Sequence, residues 1–99
     1  MLIKHVREFS GQLHELAEKN GIEKVYICGS VARGESNRKS DIDFLVEMKP
    51  DASLFGVPGF LYEAEQLLGV SVDVIPVSVL SQIDDHEFVV NIQQDAIAL

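Results

Sequence analysis

The sequence contains a single cysteine among 99 residues, few basic residues and no long apolar run. One cysteine excludes an internal disulfide framework and leads us to expect a reducing, cytoplasmic location. No apolar stretch approaches the roughly 20 residues that a membrane-spanning helix needs. Residues 1–8 also lack the uninterrupted apolar core of a signal peptide. These absences predict a soluble chain with no membrane partner.

Basic residues are concentrated in the first part of the chain. Residues 1–40 carry seven Lys and Arg against five Asp and Glu. Residues 41–99 carry Lys49 as their one basic residue against eleven acids, and the whole chain has a net charge of −8. Because an acidic surface repels a phosphate backbone, we expect no stable nucleic-acid binding by this chain alone. The acids suit bound cations and a basic partner protein, although much of this charge is expected to be solvated surface.

Hydrophobic periodicity predicts helices within one domain of residues 1–99. Apolar residues at spacings of 3 and 4 form one face of an N-terminal helix: Leu2, Val6, Phe9, Leu13 and Leu16. Asn20-Gly21 ends this helix, Gly69 ends a second one, and residues 84–94 form a third. Residues 49–59, with two prolines and two glycines, are predicted to be a loop or an interrupted helix.

β-like runs predict a small sheet. Three strands are expected at residues 24–28, 41–47 and 70–75, and the last four residues could add a short edge strand. Strands that alternate with helical segments indicate an α/β fold, of the α+β kind. We therefore predict a small mixed β-sheet with helices packed on one face and an open face opposite.

The segment from Gly29 to Asp43 combines two elements of a nucleotide site. Gly29-Ser30 directly follows the first predicted strand, and Asp41-Ile42-Asp43 follows ten residues later. A Gly-Ser turn that opens a short helix, here residues 30–34, offers backbone N–H groups to phosphates. Two carboxylates at i and i+2 of a strand share a face and suit a hard cation such as Mg²⁺. A nucleoside triphosphate with its magnesium ions requires both elements.

Asp73 is the third acid of the predicted site. If its strand neighbours that of Asp41 and Asp43, three carboxylates converge and repel one another unless cations neutralise them. Two magnesium ions would do so, one activating an attacking hydroxyl and one holding the departing pyrophosphate. Arg33 would lie one helical turn beyond Ser30, where it either neutralises phosphate oxygens or forms a surface salt bridge.

This constellation resembles the signature of the DNA polymerase β-type nucleotidyltransferase superfamily. The Gly-Ser-Val-Ala-Arg-Gly-Glu and Ser-Asp-Ile-Asp-Phe-Leu-Val runs are similar to its smallest branch, the minimal nucleotidyltransferase (MNT) family, which includes MntA-like antitoxins that accompany HEPN-domain toxins. Residues 67–74 and 95–99 resemble the same family. The resemblance implies a nucleotidyltransferase fold, two Mg²⁺ ions and ATP as substrate. It implies catalytic and metal-binding roles for Asp41, Asp43 and Asp73, and nucleotide-binding roles for Gly29, Ser30 and Arg33.

The resemblance also implies a function. It implies an adenylyltransferase that moves AMP from ATP to a hydroxyl of a partner protein, a tyrosine of a HEPN ribonuclease toxin, and so acts as an antitoxin. Two alternatives remain open at this point. One is a module that neutralises the toxin by stoichiometric binding, with weak or no catalysis. The other is a small-molecule adenylyltransferase that works with a separate helical subunit. Formation of homo- or hetero-oligomers also remains open.

Overall fold

The computed structural model describes residues 3–28 and 42–99, and within them four strands form one mixed sheet. The strands are β1 (Ile22–Cys28), β2 (Ile42–Met48), β3 (Val72–Pro76) and β4 (Ile97–Ala98). Their order in the sheet is β3-β2-β1-β4. β2 pairs antiparallel with β1 and parallel with β3, and β4 pairs antiparallel with β1. The predicted α/β fold class with a small mixed sheet is confirmed.

The helices are α1 (Ile3–Glu8), α2 (Ser10–Lys19), α3 (Gly56–Leu68), α4 (Val77–Leu80) and α5 (His86–Asp95). The N-terminal pattern was predicted as one helix, but it forms two helices that are separated at Phe9, where φ is −99° and ψ is 10°. The predicted face still points inward, because Val6 and Leu13 are fully buried. Leu2 lies outside the described residues. No helix among the described residues is long and apolar enough to cross a membrane.

The larger core lies between the sheet and the three helices α1, α2 and α3. Ile42, Phe44 and Val46 of β2 point into it and are fully buried. Phe44 meets Phe60 of α3 edge to face, with ring centroids 5.8 Å apart and planes inclined at 68°. Burial of these side chains supplies most of the driving force for folding, and the aromatic geometry adds to it.

The opposite face of the sheet carries a second, smaller core. Cys28 and Leu45 of the sheet pack with Leu80 of α4 and Ile92 of α5. The face predicted to be open is therefore covered in part by these two helices. Sequence reasoning did not predict α4, because a single turn that directly follows a strand is too short to show a helical period.

The start of α3 approaches the end of α2 so closely that no side chain fits between them. A Cβ atom at Gly56 would lie 2.0 Å from the main-chain oxygen of Asn20, and one at Gly59 would lie 2.6 Å from its Oδ1. This contact explains why glycine occupies positions 56 and 59, where α3 begins within a segment predicted to be a loop or an interrupted helix. Pro58 is tolerated there because the first four N–H groups of a helix have no partner within it.

The side chain of Asn20 holds the same two helices together. Its Nδ2 donates hydrogen bonds to the Leu16 carbonyl at 2.8 Å and to Glu63 Oε1 at 3.0 Å. Lys19 Nζ donates to Glu63 Oε2 at 2.6 Å. The hydrogen bond from Asn20, followed by that from Lys19, holds the pKa of the Glu63 carboxyl below its usual value. Packing and polar contacts therefore fix α3 against α2.

We expect Gly56→Ala to destabilise the protein by roughly 1–3 kcal/mol, because the added methyl group would overlap a main-chain oxygen that moves only with its backbone. Gly11→Ala is the matched control, since a Cβ atom at Gly11 meets no atom within 4 Å. It should raise the free energy of unfolding by up to about 0.5–1 kcal/mol through helix propensity. Urea denaturation followed by circular dichroism measures both values. A Gly56→Ala protein as stable as the control would contradict the close contact.

Candidate active site

Strands β2 and β3 bring two of the predicted acids side by side. Asp43 and Asp73 are direct partners in the parallel register. Their side chains therefore point to the same face of the sheet, on strands about 4.8 Å apart. Asp43 is 8% exposed, whereas Asp73 is exposed. The structure thus joins Asp43 and Asp73 into one acidic pair, with one member buried and the other accessible.

The burial of Asp43 follows from the alternation of β2. Its neighbours Ile42 and Phe44 occupy the larger core, so Asp43 has to point to the other face. Among the described residues it is the one buried charged side chain. Burying a carboxylate is costly unless cations or hydrogen-bond donors hold it. Such a position is typical of a functional group.

Cys28 extends this row of side chains onto β1. It is the antiparallel partner of Asp43 and is fully buried, and its Sγ donates a hydrogen bond to the Asp43 carbonyl at 3.5 Å. Cys28 therefore packs as a small buried hydrophobic residue. Cys28, Asp43 and Asp73 form a row across three strands at one end of the sheet, where β1 ends and where β2 and β3 begin.

Four predicted site residues, together with the predicted short helix at 30–34, lie outside the described residues: Gly29, Ser30, Arg33 and Asp41. The sequence alone relates two of them to the row, because Gly29 follows Cys28 and Asp41 lies two residues before Asp43. Their roles therefore stay predictions.

The acidic pair has the chemistry of a site for a hard divalent cation, since carboxylate oxygens are the ligands that Mg²⁺ prefers. Among the described residues, no three His, Cys, Asp or Glu side chains form a group that could hold a metal ion. Asp43 and Asp73 supply two of the three predicted acids, and Asp41 is the third. Asp43 and Asp73 therefore fit such a cation. The remaining predicted ligand, Asp41, lies outside the described residues.

Sequence reasoning missed a groove on the face that carries the acids. This α4–α5 groove has a volume of about 630 Å³. Its lining includes apolar and polar side chains: Val77, Leu80, Ile83, Asp84, His86 and Val89. The sequence signal that could have indicated the groove was the set of apolar residues within the acidic C-terminal segment. Without the fold, nothing indicated that they share a face with Asp43.

Comparison with known proteins identifies the family. Residues 9–99 match the nucleotidyltransferase domain family. A Methanocaldococcus jannaschii protein with the provisional name protein adenylyltransferase MJ0435 is 37% identical over 71 residues, which are 72% of this chain and 76% of that protein. Protein adenylyltransferase MntA of Thermococcus cleftensis is 36% identical over 61 residues, which are 62% of each chain. The match thus spans less than two thirds of the MntA protein.

Solved structures show the same architecture. One that is provisionally described as a minimal nucleotidyltransferase superposes with a TM-score of 0.76 at 28% identity, covering 100% of this chain and 97% of that chain. A crystal structure of a mutant MntA–HpeT toxin–antitoxin has a TM-score of 0.63 at 14% identity, covering 89% of this chain and 69% of that chain. The second likeness shows the fold alone. With its acidic pair, its nucleotidyltransferase fold and a family match over residues 9–99, this chain belongs to the nucleotidyltransferase domain family and is a nucleotidyltransferase.

Proposed function

We propose that this chain is a magnesium-dependent adenylyltransferase that moves AMP from ATP to a hydroxyl of a partner protein. The observation that carries the proposal is the register pairing of buried Asp43 with exposed Asp73 on adjacent strands. A protein acceptor is supported by relatives that are named protein adenylyltransferases. We further propose that the acceptor is a tyrosine of a HEPN-type toxin, which would make this chain its antitoxin. The toxin–antitoxin structure of the same fold supports a toxin as the partner, and the motif resemblance to MntA-like antitoxins supports a HEPN-type toxin.

In this proposal Asp41, Asp43 and Asp73 would hold Mg²⁺ at the end of the sheet where Cys28 lies. When bound, magnesium neutralises the acids and the triphosphate and lowers the pKa of the attacking hydroxyl. Gly29 and Ser30 would offer N–H and hydroxyl groups to the outer phosphates, and Arg33 would offer its guanidinium. Their sequence positions support these roles, because Gly29 directly follows Cys28 and Asp41 precedes Asp43 by two residues.

The proposed reaction forms one bond and breaks another at the α-phosphorus of ATP. The acceptor oxygen bonds to this phosphorus, and the bond to pyrophosphate breaks with its electron pair on the leaving group. The acceptor becomes an AMP ester, and its hydroxyl proton passes to a base. Asp73 is exposed whereas Asp43 is buried, so Asp73 is the more accessible to an incoming hydroxyl. We therefore assign Asp73 to assist the nucleophile.

ATP binding should depend on magnesium, because the acidic site repels the triphosphate when no cation neutralises it. Calorimetric titration of ATP with Mg²⁺ and with EDTA measures the difference, and equal affinity under both conditions would contradict the proposal.

Ser30→Ala should weaken ATP binding by about 0.5–1.5 kcal/mol, the contribution of one hydroxyl contact. Asp41→Asn should weaken it more, since it removes a metal ligand.

Asp73→Asn should lower kcat while appreciable ATP binding remains, because Asp73 acts chiefly on the nucleophile. Steady-state transfer to the partner and calorimetric titration with ATP separate the two effects. If the variant loses ATP affinity and keeps the wild-type kcat, the assignment of Asp73 is wrong.

The test of the whole proposal uses radiolabelled ATP and the protein encoded next to this chain. We expect the partner to gain mass in AMP-sized steps that depend on Asp41, Asp43 and Asp73. Mass measurement of proteolytic fragments then identifies the modified residue. If no partner is labelled and Asp41→Asn and Asp43→Asn proteins still neutralise the toxin, stoichiometric binding is the function instead. Labelling of a small molecule and of no protein would identify a small-molecule adenylyltransferase.

A further inference from the structure

We propose that the α4–α5 groove is the surface on which the acceptor protein docks, and that the docked segment is basic with an apolar side. This inference rests on the proposed transfer to a partner protein. It adds where the partner protein binds and what kind of segment binds there. The acidic pair alone indicates neither.

The position of the groove relates it to the acids. Leu80, which lines the groove, packs against Leu45, and Leu45 follows Asp43 by two residues on the same face of β2. Two residues of a strand span about 7 Å. Val77, Leu80 and Gln93 also line an adjoining cavity of about 330 Å³ that reaches Leu45. A segment seated here therefore lies within a few residues' reach of Asp43 and Asp73.

The groove offers apolar contact area. Val77 on its wall is 38% exposed, and Leu80, Ile83 and Val89 add apolar side chains to the lining. A volume of about 630 Å³ falls within the range of 300–1,000 Å³ that is usual for ligand clefts. Several apolar side chains of one docked segment would find partners there.

The charge around the groove selects the kind of occupant. Residues 77–96 contain four Asp and Glu and no Lys or Arg. Asp84 lines the groove, and exposed Glu87 lies in the first turn of α5, next to the lining residue His86. Glu47 lines the adjoining cavity and is the strand-register partner of Lys24, whereas among the described residues no Lys or Arg lines the groove itself. Such a rim repels nucleotides and nucleic acids and attracts a basic protein segment.

The first experiment reverses charge at the rim. We expect Asp84→Lys combined with Glu87→Lys to raise KM for the partner about tenfold at low salt, with ATP affinity and kcat unchanged. Glu8→Lys combined with Glu15→Lys is the matched control, because both residues are exposed on helices of the opposite sheet face. In the wild type, KM for the partner should rise with salt, and the groove variant should lose most of this dependence.

A second variant tests the apolar wall. Val77→Ser should speed dissociation of the partner while the salt dependence remains, and retained ATP affinity shows that the protein is folded. If both groove variants behave like the control while the partner is still adenylylated, the docking inference is overturned and the proposed function stands. If the wild type adenylylates no partner protein, the proposed function fails and the docking inference fails with it.

Discussion

Asp43→Asn is expected to lower AMP transfer by at least about 10²–10³-fold, the usual effect of losing one group that stabilises transition-state charge in a dry site. Asp43 is the buried member of the acidic pair, and it faces Asp73 directly. An amide keeps the shape of the side chain but removes the negative charge that a cation requires. The loss should therefore appear in Mg²⁺-dependent ATP binding as well as in transfer.

The fold should survive this substitution. An asparagine side chain has the size of aspartate and still accepts and donates hydrogen bonds, so the Asp43→Asn protein should stay folded, as circular dichroism would show. Asp51→Asn is the matched control. Asp51 lies in the turn after β2 with φ of 64°, a conformation that asparagine adopts readily, and full activity is expected. Near-normal transfer by Asp43→Asn would remove the acidic pair from the mechanism.

Phe44→Ala should cost about 3–5 kcal/mol of stability, the usual effect of truncating a fully buried phenylalanine. Phe44 is 0% exposed and makes the edge-to-face contact with Phe60 that joins β2 to α3. Domains of this size are typically stable by only about 5–15 kcal/mol, so the variant would be marginally folded. Because Phe44 adjoins Asp43, loss of this packing should also reduce ATP binding.

Phe55→Ala is the matched control for this truncation. Phe55 is 91% exposed, and its removal should change stability by no more than about 0.5 kcal/mol. Urea denaturation followed by circular dichroism compares the two variants directly. Equal losses of stability in the two variants would show that the structure assigns the core to the wrong aromatic residue.

The arrangement of the acids could be predicted because it depends on alternation along strands. Apolar Ile42 and Phe44 flank Asp43, and apolar Val72 and Val74 flank Asp73, so each acid had to face away from the main core. The register that makes the two acids direct partners could not be predicted from the sequence. Register depends on pairing across the sheet, which a local pattern does not report.

The errors in the helices have local physical causes. The break between α1 and α2 at Phe9 is one residue long. Apolar residues therefore keep their helical spacing across it, and the sequence pattern does not reveal the break. Glycine and proline in a run such as 56–59 usually indicate a loop, yet here the glycines allow α3 to contact Asn20. The α4–α5 groove depends on how two short helices sit on the sheet, which is a tertiary property.

The parallel pairing of β2 with β3 has a kinetic consequence. Asp43 and Asp73 are separated by 30 positions in the chain, and parallel strands pair only after a crossover, here through α3, has been completed. Contacts at that separation carry the entropy of loop closure and slow folding relative to local contacts. A cation that needs both acids would bind the native protein and not the unfolded chain. Bound metal would therefore lengthen the lifetime of the folded state by slowing unfolding, and would leave the rate of folding nearly unchanged.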